Sequence, residues 1–355
     1  MSGRLAFALP PELEASAPAE ARGMTRDAVR MLVAYGGTGE PGPSGRLSGK
    51  LVHSTFALLP RFLEPGDLVV VNTSGTIPAA VDGHAPDGTP VAVHLSTHLD
   101  GNRWVVEPRR PDGGATARWD DSDPPRTVVL GDGASLHLVE RYLGSSRLWI
   151  AALSLPQPAL TWLAAHGHAI RYGYVDRAWP VTTYQNVYST EPGSAEMPSA
   201  GRPFTPEVIT RLVAKGVDVA PLVLHTGVAS LEADELPYPE RVKVPRTTAD
   251  RVNHTRAAGG RVIAIGTTVV RALESAADTD GVARELDGWT DLVITPERGV
   301  RVVDGLLTGW HEPEASHLLM LEAIAGRAVL EASYDASLAE GYLWHEFGDV
   351  HLLLP

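Results

Sequence analysis

An α/β main domain with a mostly parallel sheet, interrupted by an inserted small all-β barrel domain, is the fold class that this sequence predicts. Three observations carry it. The first is the stretch 261–275, where Val262, Ile263, Ala264 and Ile265 form an apolar run with no polar alternation, followed by Gly266 and a helical pattern. Such a run fits a parallel strand buried on both faces. The second is a change of texture over 76–155, where short β-rich runs recur about every ten residues between the turn dipeptides Asp87-Gly88, Asp100-Gly101, Asp112-Gly113 and Asp132-Gly133. The third is that α/β texture lies on both sides of this region, so 1–75 and 156–355 read as one discontinuous domain and 76–155 as its insertion.

Taken in order, 9–13 (L-P-P-E-L) is a Pro-rich entry into a helical turn, and 36–50 is a flexible Gly, Pro and Ser connection. The stretch 45–51 approaches a phosphate loop, but Ser44 stands where its first glycine belongs and Leu51 where Ser or Thr is required, so it is rejected. A helix over 56–62 and a Pro65-Gly66 turn lead into a strand at 68–71. Strands at 77–81, 90–95, 103–107, 127–130, 135–143 and 147–153 build the barrel, because Asp-Gly tolerates the positive φ of tight hairpins. Beyond it come a short helix at 158–166, an aromatic and basic loop at 171–179, and a polar segment at 184–204 long enough to suggest function. A helix at 205–215 begins with Pro206 in its first turn. Strands follow at 217–224, 262–265, 291–295 and 300–307, helices at 253–258 and 316–325, and a final strand within 342–354. Thr267 or Thr268 is expected to cap the helix after Gly266.

Composition bounds the function. The 355 residues are 44% hydrophobic and 21% charged, which suits a globular chain able to bury two cores. No apolar run approaches the roughly 20 residues of a membrane span. Met1–Pro10 lacks a basic segment before a long apolar one, so no signal peptide is expected. Zero cysteines exclude disulfides and thiolate metal sites. A cytoplasmic monomer is the expectation. The net charge of −13 gives no support to a broad phosphate-binding stripe; the modest group Arg241, Lys243, Arg246, Arg251 and Arg256 reads as solvated surface or a local phosphate-facing patch.

Three expected strand ends carry polar, glycine-containing tips: His225-Thr226-Gly227, Gly266-Thr267-Thr268 and Thr308-Gly309-Trp310-His311. Side by side they define one cleft, at the carboxyl edge where ligands collect in open α/β sheets. The cleft's expected binding residues are Gly266, Thr267, Thr268, Arg271, Glu274, Asp304 and Thr308, with Glu240, Glu274 or Asp304 facing a cationic ligand. His311, then His225 and Glu240, are the candidate proton-transfer groups, since histidine titrates near working pH. No G-x-G-x-x-G follows a strand, which disfavours a dinucleotide fold. His311-Glu312 lacks the second histidine of a zinc hydrolase, Ala315 standing there, and His345-Glu346 meets Asp349 at the same place.

The segments G-T-T-V-V-R-A-L-E-S (266–275), V-V-D-G-L-L-T-G-W-H-E-P (302–313) and Y-Q-N-V-Y-S (184–189) resemble the S-adenosylmethionine:tRNA ribosyltransferase-isomerase family of the queuosine pathway. The L-P-P-E-L opening, E-P-G-D-L-V-V-V-N (64–72) and Gly348-Asp349 add to the likeness, which covers about 5–355. The resemblance implies transfer and isomerisation of the ribosyl part of S-adenosylmethionine onto the aminomethyl group of a 7-deazaguanine in tRNA. Adenine and methionine leave, epoxyqueuosine forms, and no metal or redox cofactor takes part. Its segments also differ. The family's N-D-T-R-V is Asn72-Thr73-Ser74-Gly75-Thr76, without the arginine. T-A-G-L-H-F is Ser199-Ala200-Gly201-Arg202-Pro203-Phe204, without the histidine. L-H-V-G-x-G-T-F is 224–231, and M-H-S-E is Pro237-Tyr238-Pro239-Glu240, keeping only the acid. These departures bear on the acceptor: tRNA leads, while a small-molecule acceptor or a non-catalytic S-adenosylmethionine binder is the alternative. Arg202, Arg171 or Arg177 could stand in for the missing arginine.

Overall fold

The computed structural model describes residues 5–36, 49–113, 115–119, 123–228 and 237–355; most of the connection read at 36–50, most of the rejected phosphate loop and the end of the 224–231 segment lie outside these residues. Two bodies of secondary structure dominate. One is a nine-stranded sheet in the order Leu286–Thr290, Glu240–Val244, Asp218–Leu224, Leu68–Asn72, Val262–Ile265, Gly305–Gly309, Val350–Leu354, Arg30–Tyr35 and Leu51–Thr55. The other is a barrel.

The sheet is mixed rather than mostly parallel. Its centre, from Asp218–Leu224 through Leu68–Asn72 and Val262–Ile265 to Gly305–Gly309, is parallel throughout. Outward from it, Glu240–Val244, Leu286–Thr290 and Val350–Leu354 pair antiparallel, as do Arg30–Tyr35 and Leu51–Thr55. Only Arg30–Tyr35 with Val350–Leu354 restores a parallel pair. An unbroken apolar run reports that both faces of a strand are covered; it does not report the direction of its neighbour.

Both faces are indeed covered at the centre. Val69, Val71, Ile263, Ile265 and Leu307 pack on one side with the helix Pro206–Lys215, while Leu68, Val70, Val262, Ala264 and Leu306 pack on the other with the helices Thr267–Ala276 and His317–Ala325. With a side-chain period of two, alternate residues enter opposite cores, which is why no polar residue interrupts the run. Burial of such a side chain stabilises by about 1.5–3 kcal/mol.

Several local expectations shift. The 56–62 helix is a 3₁₀ segment, Phe56–Arg61, with Pro60 inside. The strand expected at 291–295 is instead Leu286–Thr290, the one at 300–307 begins at Gly305, and the final strand is Val350–Leu354. The helix after the central strand begins at Thr267 and is capped by Gly266 at φ 96°, with no side-chain cap bond. Glycine is required there because this left-handed backbone strains any L side chain.

Six strands close the barrel antiparallel: Ala80–His84, Pro90–Asp100, Arg103–Asp112, Thr127–Gly131, Ala134–Arg141 and Trp149–Ser154, the last returning to Arg103–Asp112. A short strand, Ala115–Arg118, extends Arg103–Asp112 outside the ring. Closure removes the edges that an open antiparallel sheet would expose. The Asp132-Gly133 turn has φ of 47° and 75°, the paired positive angles that Asp-Gly was expected to supply.

Candidate active site

Because the four central strands run parallel, their carboxyl ends share one edge of the sheet. Asn72 fastens that edge: its Nδ2 donates to the Leu224 carbonyl at 2.8 Å, while its Oδ1 accepts from the amides of Leu224 and Ser74. The same Nδ2 reaches Thr268 Oγ1 at 3.3 Å. The three glycine-containing tips are thereby brought to one place.

Over this edge lies a cavity of about 280 Å³ between the sheet and the barrel. Thr226, Gly227, Glu240, Gly266, Thr267, Thr268, Arg271, Thr308 and His311 line it from the sheet side, and Ser96, Thr97 and Tyr142 from the barrel side. A second cavity, of about 200 Å³, adjoins it and is walled by aromatic residues. Glu196, Met197, Ser199, His311 and His317 line both cavities and so form the wall between them.

The long 184–204 segment supplies part of that wall. Its strand Glu191–Ser194 pairs in parallel with Ser74–Thr76, and Asn186 Nδ2 donates to the Pro198 carbonyl at 3.0 Å. These bonds hold Glu196 and Ser199 at the cavity border. Tyr172 donates its hydroxyl to Glu196 Oε1. Glu196 and His317 were missed in the sequence, although the length of the segment pointed to the former and the spacing of a second histidine six residues after His311 was available for the latter.

His311 is half-buried, lining both cavities. Its Nε2 lies 2.8 Å from Thr308 Oγ1, and its ring stacks on His317 at 4.7 Å and 9°. Burial, with His317 adding, holds its pKa well below the ordinary imidazole range, so it is neutral at physiological pH. His317 is pushed down to about 4, by burial first and then by the nearby Arg271 charge. Both rings therefore bind protons more weakly folded than unfolded. Their contribution to stability is complete above the unfolded value of about 6.5 and is lost as pH falls toward about 4. Denaturant unfolding at pH 7.5 and 4.5 should show this loss, and His317→Gln should lessen it. Parallel losses in wild type and variant would refute the assignment.

Arg271 lines the cavity, yet its guanidinium is already engaged. Nη1 donates to Glu240 Oε2 at 2.6 Å, Nη2 to the carbonyls of Tyr238 and Thr290, and Nε to that of Leu292. It acts as a bracket for the 238–240 and 290–292 segments, not as a free ligand donor. Glu240 Oε1 accepts from the Gly227 amide at 3.1 Å. Burial raises the Glu240 pKa, and Arg271 opposes that rise.

Three expected site residues lie elsewhere. Glu274 is buried on the far side of its helix, its carboxylate accepting from Arg298 and from the amides of Arg301, Val302 and Val303. Asp304 sits at the opposite end of its strand, roughly 13 Å from Thr308 at 3.3 Å per residue, where Oδ2 accepts from the Val262 amide. Gly305 beside it has no room for a Cβ, which would meet Ile263 Cδ1 at 2.8 Å. His225 is wedged against Gly193, with Nδ1 2.7 Å from Ser74 Oγ, outside both cavity walls. Periodicity places a residue on an element, but these three depended on which end or face the element presents.

The basic residues behave similarly. Arg241, Arg246 and Arg251 each lie within ion-pair distance of a carboxylate, at Asp287, Asp250 and Asp218. Arg202 is spent on Glu20 and the Thr183 carbonyl, Arg171 donates to the Val175 carbonyl, and Arg177 covers the Trp179 ring. Among the described residues no helix is long and apolar enough to cross a membrane.

Residues 3–353 match the family model described as queuosine biosynthesis protein. An S-adenosylmethionine:tRNA ribosyltransferase-isomerase of Symbiobacterium thermophilum is 33% identical, covering 98% of each chain. One of Moorella thermoacetica is likewise 33% identical over 98% of each chain. The crystal structure of an S-adenosylmethionine tRNA ribosyltransferase from Thermotoga maritima is similar with a TM-score of 0.54 and 28% identity, over 99% of each chain.

Proposed function

The chain belongs to the queuosine biosynthesis protein family, and from that premise we propose that it is an S-adenosylmethionine:tRNA ribosyltransferase-isomerase. It transfers and isomerises the ribosyl moiety of S-adenosylmethionine onto the aminomethyl group of a 7-deazaguanine in tRNA, releasing adenine and methionine. S-adenosylmethionine is consumed as a substrate, and no metal or redox cofactor enters. The protein acts as a cytoplasmic monomer, with 1–75 and 156–355 as the catalytic domain and 76–155 as the inserted barrel domain.

The observation that carries the reading is the pair of adjoining cavities with His311 in their common wall. A two-substrate transfer needs two compartments and a proton-transfer group between them. The larger cavity takes the donor, with Thr267, Thr268 and Thr308 as polar contacts and the Glu240 carboxylate facing the sulfonium. The sulfonium acidifies the adjacent 5′ C–H, so one positioned base starts the reaction by removing that proton to form an ylide. His311 is neutral and able to accept it. Its depressed pKa makes the resulting imidazolium a strong acid, suited to protonating the departing adenine.

Neither Gly75 nor Pro203, the two positions where the family's arginine and histidine are missing, lines either cavity. Thr76 beside Gly75 does line the second cavity, and Pro203 lines a small third one that shares Ser199, Gly309, His345 and Glu346 with it, so the tRNA acceptor rests on the family membership. The deciding experiment supplies S-adenosylmethionine with tRNA bearing the aminomethyl-deazaguanine and follows adenine release and epoxyqueuosine formation. Adenine release without tRNA modification would point to another acceptor, and no release at all would overturn the reading.

Thr268 offers a smaller test of donor placement. Thr268→Ala should weaken S-adenosylmethionine binding by about 0.5–1.5 kcal/mol, the net worth of one hydrogen bond. Calorimetry showing unchanged affinity would remove Thr268 from the donor site.

A further inference from the structure

The second cavity has a chemistry of its own. Tyr174 stacks on His345 with centroids 4.0 Å apart and 12° between planes, and Tyr172 continues the stack at 5.8 Å and 14°. These near-parallel rings form a stacked column beside the cavity, and Tyr184 and Trp310 complete the lining. At about 200 Å³ the space is the smaller of the two cavities and suits a single heterocycle. Glu346 also lines it. The Tyr174 hydroxyl donates to Glu346 Oε2 at 2.6 Å, and among the described residues no arginine or lysine pairs with this carboxylate.

We propose that this cavity seats the acceptor base, flipped out of its strand, with Glu346 reading the guanine-type edge; this rests on the tRNA-acceptor reading above. A carboxylate is acceptor-only, with two oxygens side by side. The N1–H and exocyclic 2-amino group of a 7-deazaguanine present two adjacent donors to it. Adenine would present an unprotonated ring nitrogen to the same oxygens and be repelled, so the carboxylate also keeps the donor's adenine out of this compartment. Burial raises the Glu346 pKa, and the Tyr174 hydrogen bond opposes that rise. The base would continue this column by stacking on the ring at its cavity end, as flipped bases do against aromatic side chains. Its aminomethyl arm would point to the wall of Glu196 and His311, beyond which the ribosyl group lies.

The test compares tRNA bearing the aminomethyl-deazaguanine with tRNA whose modified base lacks the 2-amino group, using wild type and Glu346→Gln. Wild type should disfavour the deaminated substrate roughly tenfold to a hundredfold in kcat/KM. Glu346→Gln should lose a similar factor on the normal substrate, discriminate little between the two, and bind S-adenosylmethionine with unchanged affinity. The wild-type comparison does not depend on the variant folding. Equal use of both tRNAs by wild type would overturn the proposal, as would a Glu346→Gln protein that keeps the wild-type preference. A variant with an unchanged melting temperature but lost S-adenosylmethionine affinity would assign the cavity to the donor and also overturn it. Wild type inactive on every tRNA would instead overturn the reading beneath.

Discussion

His311→Gln is expected to lower turnover by roughly 10²–10⁴-fold, the usual worth of a positioned acid–base group, while leaving S-adenosylmethionine affinity within about threefold. Glutamine retains much of the hydrogen bonding to Thr308 Oγ1 but cannot shuttle a proton. The loop is also held from outside the imidazole, by the Tyr334 hydroxyl at the His311 amide and by the Trp310 ring stacked on His351, and these contacts survive the change. Single-turnover adenine release is the measurement. If the variant turns over within about threefold of wild type, His311 merely ties its loop to Thr308, and Glu240 becomes the next candidate.

The second large effect is on stability. Arg271→Ala should cost about 3–5 kcal/mol, the range for removing one partner of a buried ion pair. It would strand the Glu240 carboxylate and leave the Tyr238, Thr290 and Leu292 carbonyls without their donor. The Glu240 side chain keeps 17% exposure, which favours the lower end of the range. Lysine should not rescue, because a point charge cannot serve four acceptors at the positions a guanidinium fork reaches. Adding Glu240→Gln should recover part of the loss by removing the uncompensated charge. Urea unfolding decides: a loss under 1 kcal/mol, or no recovery in the double variant, would show that the bracket is not what holds these segments together.

Many of the residues that made the family recognisable turn out to hold the fold. Asp67, in the E-P-G-D-L segment, forms a buried ion pair with Arg261 and accepts from the Glu64 amide. Asp349 accepts from the Arg30 and Leu343 amides. Glu274 and Asp304, inside the two clearest motifs, clamp loops and strand starts. A motif marks a residue that cannot easily be replaced, and a satisfied buried carboxylate is as hard to replace as one that touches a substrate.

The buried central strand, the Asp-Gly hairpins of the barrel and the three polar strand tips were all legible in the order of residues alone. Each is a local matter of side-chain period or of backbone angles permitted to a few residue types. The residue order also pointed to the 184–204 segment, since a long polar connection in a compact chain wants a reason. That half the sheet's pairings are antiparallel, that His317 and Glu196 join His311 in a wall between two cavities, and that His225, Glu274 and Asp304 are turned elsewhere follows from the folded chain and not from any segment of it. Strand direction, the burial of a carboxylate and the meeting of residues over a hundred positions apart depend on partners distant in the chain. No local pattern encodes them, because the free energy that selects them comes from contacts that exist only once the chain has closed.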